Sequence, residues 1–213
     1  MNLYDIFLRC IEIPYTRVDN SGDYAVELAD GTLYIYLESS NGQTDWENNL
    51  DFPVKAYKNM DGTVWYAHRG FLRVWKSIEP HLKPYLDDNR VEKVVVTGFS
   101  HGGALAVLCH EYIWYNYPRL QKSLYGYAFG APRVLWGIKN SKIESRFENF
   151  TLIRNLDDAV THLPPRFLGY YHVGTLLEIG QKGKYTRIDA HRPESYLTEL
   201  KTYSIGNCRN EGI

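Results

Sequence analysis

The residues best placed to do chemistry sit in one short run, Gly98-Phe99-Ser100-His101-Gly102-Gly103. This is a G-x-S-x-G pattern with an apolar, β-branched stretch before it (Lys93 to Thr97) and a helical pattern after it. A serine hydroxyl is a poor nucleophile unless it is lifted clear of its surroundings toward a base. A sharp turn between strand and helix does this by holding the serine in a strained conformation, and the flanking positions must be nearly bare, which Gly98 and Gly102 satisfy. The turn also sets Ser100 at a helix N-terminus, where amide groups and the helix dipole favour negative charge. The backbone N–H of His101 is therefore a natural oxyanion donor. Acid and base follow an elbow of this kind in chain order. Asp157 and Asp158 both qualify as the acid by type and by position after a predicted strand. His191, in the loop-like Asp189-Ala190-His191-Arg192-Pro193, is the favoured base. His172, leading into a predicted strand, is the alternative, with a packing or orienting role expected of it.

Other chemistry is not encoded. His110-Glu111 lacks the spacing of a zinc motif, and no His/Cys/Asp/Glu cluster has metal-ligand spacing, so no metal is expected. Gly98 to Gly103 lacks the lysine and spacing of a phosphate loop, and the expected reaction needs no cofactor.

The elements that must position these residues are legible from pattern. Leu33 to Leu37 reads as a strand after the turn Asp30-Gly31, with Tyr24 to Leu28 as its hairpin partner. Phe71, Leu72, Val74, Trp75, Ile78, Leu82, Tyr85 and Leu86 recur at helical spacing, with Pro80 and Pro84 expected to break or kink the helix. Lys93 to Thr97 reads as a strand buried on both faces. A buried helix is expected from Gly102 to about Asn116. Further strands are expected at Leu124–Phe129, Phe150–Arg154, Val173–Ile179 and Tyr185–Ile188. Strands alternating with helices predict an α/β fold whose central sheet is mostly parallel and flanked by helices.

The 213 residues suit a single domain, 1–213. Hydrophobic residues make up 44% and charged residues 23%, which argues against disorder. The formal net charge of -1 gives no basic excess for a nucleic-acid backbone. No apolar run reaches the roughly 18 residues of a membrane-spanning helix. Cys10, Cys109 and Cys208 are too sparse for a disulfide framework, although a Cys10–Cys208 bridge would tie the termini. With no charged stretch ahead of an apolar core near Met1, a cytoplasmic location is expected.

These residues resemble the class 3, fungal-type lipases of the α/β-hydrolase superfamily, over roughly Tyr24 to Tyr196. The family's G-x-S-x-G-G-A-L-A elbow is similar to Gly98 to Ala106, and its His-x-Gly-Phe to His68-Arg69-Gly70-Phe71. Its Phe-Gly-x-Pro-Arg resembles Phe129 to Arg133, and its Asp-x-Val-x-x-Leu-Pro-Pro resembles Asp158 to Pro165. Its Tyr-x-His-x-Gly looks like Tyr170 to Gly174, its Asp-Trp-x-x-Asn-Leu like Asp45 to Leu50, and its terminal Asp-His-x-x-Tyr, more loosely, like Asp189 to Tyr196. The resemblance implies Ser100 as nucleophile, Asp158 as acid and His191 as base. It also implies Ser40 as second oxyanion residue beside His101, and a carboxylic ester, such as an acylglycerol, as substrate. Two further readings share these residues: the same triad on a phospholipid, thioester or amide, or a non-catalytic binding protein that keeps the fold. This chain departs from the family where Glu38-Ser39 replaces Arg-Gly and where Phe99, not His, precedes the serine. The stretch 41–60 is mostly polar and predicts no strongly amphipathic lid.

Overall fold

The computed structural model describes residues 2–18, 22–38 and 53–210, the last five of these by backbone alone. In chain order the regular elements are α1 (Leu3–Glu12), β1 (Thr16–Val18), β2 (Gly22–Ala29), β3 (Thr32–Glu38), β4 (Val54–Lys58), β5 (Val64–His68) and α2 (Arg69–Leu86). There follow β6 (Lys93–Phe99), α3 (His101–Asn116), β7 (Leu124–Phe129), β8 (Leu135–Trp136), α4 (Ser141–Arg146), β9 (Phe150–Asn155), β10 (Tyr170–Tyr171), β11 (Thr175–Ile179) and α5 (Pro193–Asn210).

The larger sheet has the strand order β1-β2-β3-β6-β7-β9-β11. The β2–β3 hairpin is antiparallel, and β3, β6, β7, β9 and β11 run parallel to one another. Asp30 and Gly31, both at positive φ, close the hairpin with the two-residue turn whose twist matches its strands. A smaller antiparallel sheet has the order β10-β8-β5-β4.

Each face of the parallel strands carries its own core. On one face Leu33, Leu37, Val94, Val96, Ala128 and Leu152 pack against Phe71, Trp75 and Ile78 of α2 and Leu105 and Leu108 of α3. On the other, Phe129, Ile153 and Ile179 meet Ile6 and Phe7 of α1 and Tyr196 and Leu200 of α5. Both faces are covered, which is why β6 reads as an unbroken apolar run. From His101 to Ile113 every residue of α3 is buried.

Two expectations are corrected. Helix α2 runs unbroken through Pro80 and Pro84. Its buried stripe (Phe71, Leu72, Val74, Trp75, Ile78, Leu82 and Leu86) anchors it on the core, and that burial outweighs the two missing amide donors. Tyr185 to Ile188 is not a strand, and the segment is instead tied down by side chains. Asp157 accepts from the Gly183 and Tyr185 amides, and the Tyr185 hydroxyl donates to Glu199. Cys10 is a free buried thiol, and the side chain of Cys208 lies outside the described residues.

Candidate active site

Strand β6 enters the core with five consecutive buried residues and stops at Phe99, and α3 begins at His101. Ser100 alone bridges them, at φ 55° and ψ -118°. A non-glycine residue held there is strained, and the turn is fixed from both sides: the Ser100 amide donates to the Phe129 carbonyl at 2.8 Å, and the Ser100 carbonyl accepts from the Ala104 amide at 3.1 Å. The flanking glycines are required by space. A Cβ at position 98 would lie 2.2 Å from the Gly102 carbonyl oxygen, and one at position 102 would lie 2.0 Å from that of Leu37. The second contact presses the end of β3 against the first turn of α3. Gly102→Ala should therefore lower unfolding stability by about 3 kcal/mol or more, since the obstacle is backbone and cannot swing aside. Urea unfolding measures this, and a midpoint equal to wild type would refute the close approach.

Asp158 and His191 come from separate loops at the carboxyl ends of the parallel strands. Asp158 follows β9, is fully buried, and takes the Val160 amide on Oδ1 at 2.9 Å. Its Oδ2 accepts from His191 Nδ1 at 2.8 Å and from the Tyr196 hydroxyl at 2.6 Å. On the far side of the imidazole, His191 Nε2 lies 2.7 Å from Ser100 Oγ. The chain is thus a continuous Ser–His–Asp relay, 91 residues apart in sequence at its first link and 33 at its second. With the proton on Nδ1 directed at the carboxylate, Nε2 is the atom free to accept the serine proton.

The other candidates fall elsewhere. Asp157 faces away, holding the Gly183 and Tyr185 amides. His172 Nε2 donates to the Thr161 carbonyl at 2.7 Å and fixes the loop that follows Asp158. His68 stacks on Phe71, with ring centroids 4.1 Å apart, and its Nδ1 caps α2 through the Phe71 amide. The His101 side chain is buried against Phe71, with ring centroids 5.0 Å apart, and does not face solvent. Ser40 and the polar segment 41–52 lie outside the described residues. Among the described residues no group of three or more His, Cys, Asp or Glu side chains could hold a metal ion.

Two residues support the relay without having been read as part of it. Tyr196, near the start of α5, donates to the same carboxylate oxygen as His191, and its own oxygen accepts the Asn155 amide at 3.1 Å. Burial and the neighbouring Asp158 push its phenol well above the ordinary range, so it stays a donor. The only hint was its place in the looser Asp-x-His pattern. Phe99 stacks on the His191 ring, 5.1 Å between centroids and 24° between planes, and rests edge-on against Phe7 and Tyr196. A phenyl ring replaces the imidazole expected before the serine, and it forms an apolar floor beneath the base.

Desolvation holds two buried imidazoles, His101 and His110, and the half-buried His172 in neutral form. Burial pulls His101 down to about 3 and His110 and His172 to about 4. Their folded-state values lie below the unfolded one, so the unfolded chain takes up protons first. The stability they permit is whole above about pH 6.5 and is lost as pH falls from there toward 4, at about 1.4 kcal/mol per pH unit for each group. Urea midpoints at pH 7.0 and 4.5 should differ sharply. Equal midpoints would contradict the burial of these rings.

Comparison with known proteins places this geometry. The class 3 lipase family model matches residues 34–168, a span that holds Ser100 and Asp158 and ends before His191. A lipase of Rhizomucor miehei is 31% identical over 151 residues, covering 68% of this chain and 41% of that protein. The secreted mono- and diacylglycerol lipase 1 of Fusarium solani is 27% identical over 155 residues, covering 70% of this chain and 44% of that protein. Among solved structures, lipase II of Rhizopus niveus superposes with a TM-score of 0.64 at 28% identity, over 78% of this chain and 64% of that one. The chain spans about two-fifths of the length of these two curated relatives. The secreted relative overturns the cytoplasmic expectation. Cys10 and Cys109 are buried packing residues, and burial raises both thiols, so their reduced state records no compartment. In family and in fold, the chain belongs to the class 3 lipases, with the mostly parallel, helix-flanked sheet of an α/β-hydrolase.

Proposed function

We propose that this chain is a serine ester hydrolase that cleaves carboxylic esters, acylglycerols among them, through an acyl-enzyme, and that it works outside the cell as its Fusarium solani relative does. Residues 1–213 form one hydrolase domain in this reading. The observation that carries it is the relay from Ser100 Oγ through His191 to fully buried Asp158, at 2.7 and 2.8 Å. His191 Nε2 takes the serine proton as Oγ attacks the ester carbonyl, and the resulting imidazolium is stabilised by Asp158. The negative charge that develops on the carbonyl oxygen is met by the His101 amide at the start of α3, with Ser40 as the second donor. Collapse of the tetrahedral intermediate transfers the proton from His191 to the departing alcohol. Water, deprotonated by the same imidazole, then releases the carboxylic acid and regenerates the serine.

The test is a panel of dissolved short-chain esters, matched thioesters and peptides, together with a fluorophosphonate probe. Turnover of the esters ahead of the other two classes, with stoichiometric labelling of Ser100, is expected. Absence of labelling in folded protein would overturn the reading in favour of a binding protein, and preference for thioesters or peptides would overturn the substrate class.

A further inference from the structure

The end of the large sheet opposite the relay has no part in this mechanism, yet it carries a motif of its own. The chain contains one Asn-x-Ser/Thr triplet, Asn149-Phe150-Thr151. It falls where the chain turns into β9. The Phe150 amide donates to the Phe147 carbonyl at 3.1 Å, which closes a four-residue turn. Phe147 and Phe150 are both buried and meet edge to face, with ring centroids 5.4 Å apart. The turn is thus pinned at its two ends, and its central residues, Glu148 and Asn149, are exposed. The Asn149 carbonyl accepts the Gly126 amide at 3.0 Å, so the exposed side chain stands on a fixed backbone.

Beside this turn the surface has a hollow of about 300 Å³, whose wall includes Asn149 itself with Trp114, Gln121, Lys122, Ser145 and Glu148. The half-buried Trp114 is held in place. The Gln121 side-chain amide donates to its carbonyl at 2.9 Å, and the Arg146 guanidinium lies 5.8 Å from its ring centroid. Arg146 is fixed in turn by buried Glu111, through Nε at 2.9 Å and Nη2 at 2.6 Å. A flat indole edged by amide, hydroxyl, ammonium and carboxylate groups suits a sugar ring, which has apolar C–H faces and a rim of hydroxyls. The volume is at the small end of the range for ligand sites and fits one ring. The place is also remote from the chemistry. Asn149 precedes the amino end of β9 and Asp158 follows its carboxyl end, a strand length of roughly 20 Å away.

From this arrangement we propose that Asn149 is the acceptor for an N-linked glycan whose first sugar seats in the hollow against Trp114. The triplet supplies the amide that is modified and the hydroxyl two residues on that marks it, at a surface turn. The donor is an oligosaccharide carried on a polyprenyl pyrophosphate. Asn149 Nδ2 bonds to C1 of the first sugar, and the bond from that carbon to the pyrophosphate breaks. The pyrophosphate leaves with the electron pair, and the amide gives up one proton. The glycan then covers the end of the sheet that faces away from Ser100 and leaves the approach of an ester open. The inference rests on the extracellular reading, because the transfer takes place in the secretory path.

The experiment expresses the full chain in yeast behind a secretion leader, so that it enters the secretory path whatever its native route, and weighs it before and after peptide N-glycosidase. Wild type and Thr151→Ser should carry the mass of one removable glycan, and Asn149→Gln none. Asn149→Gln should hydrolyse a dissolved short-chain ester at the wild-type rate, which also shows that it folds. The seat is read from thermal unfolding. Endoglycosidase H leaves one N-acetylglucosamine in place, and this form should melt about 3 °C above the fully stripped one. Trp114→Leu should remove most of that difference, and comparing both backgrounds cancels the carboxylate that full stripping leaves behind. An exported wild-type chain without a glycan, or a glycan that persists in Asn149→Gln, would overturn the acceptor. The same melting difference in both backgrounds would overturn the seat. An unglycosylated chain that turns over ester would sink this inference alone, and a glycosylated chain that turns over none would sink the hydrolase reading alone. Native protein recovered from inside its cells and without a glycan would overturn the extracellular reading and this inference together.

Discussion

Replacing Ser100 with Ala should cut ester turnover by a factor on the order of 10^5 to 10^6 and leave the unfolding midpoint where it is, or slightly above. The two halves of this result have separate causes. Ser100 Oγ makes no cap to α3, and its described bond is to His191, so its loss removes the nucleophile and little that holds the fold. The backbone at φ 55° is strained for serine and alanine alike, because both carry a Cβ. Triad residues act as a unit, and loss of the nucleophile in such a unit leaves only the contribution of binding and oxyanion stabilisation. Turnover within tenfold of wild type would remove Ser100 from the mechanism. A large fall in midpoint would mean that the hydroxyl has a structural role that its bonding does not reveal. The contrast with Gly102→Ala is instructive, since two residues apart a single methyl group is harmless at one position and meets a carbonyl oxygen at the other.

That contrast also marks what sequence could and could not reveal. The elbow was legible because its requirements are local: a strand buried on both faces, two bare flanks, and a helix buried all round. The parallel sheet followed from the alternation of such elements, and Asp158 and His191 from motif and chain order. Contacts made across distance were not legible. Nothing in the local pattern shows the Tyr196 hydroxyl reaching Asp158 from 38 residues downstream, or Phe99 lying flat beneath a ring 92 positions later. The small sheet escaped because β8 and β10 are two residues each and have no periodicity to read. Local rules misled where tertiary forces were larger. Burial carried α2 through two prolines, and the bonds to Asp157 and Glu199 held Tyr185 to Ile188 out of a strand that its residue types favour. The His101 ring lies against Phe71 in the core, and among the described residues neither of its nitrogens has a hydrogen-bond partner.

His191→Ala and His172→Ala should separate cleanly, although the two histidines come 19 residues apart and both neighbour the loop chemistry. His191 is the group whose two nitrogens reach Ser100 and Asp158, so its removal should approach the loss of the serine, on the order of 10^5-fold or more in turnover. Asp158→Asn keeps the shape but offers the imidazole the wrong hydrogen-bonding partner on one side, and a loss of roughly 10^4 is expected. His172 touches neither reacting atom. Burial keeps it neutral, its pKa drawn to about 4, and its described bond is to the Thr161 carbonyl. Its alanine variant leaves that carbonyl without its donor, and should cost about 1 to 2 kcal/mol of stability while the folded fraction keeps its turnover. Steady-state kinetics on one dissolved ester, corrected for the folded fraction from urea unfolding, ranks the three variants. If His172→Ala loses the larger share of turnover, or if His191→Ala stays within a hundredfold of wild type, then the imidazole beside Ser100 is not the base. The relay would then be a hydrogen-bond chain without a proton to move.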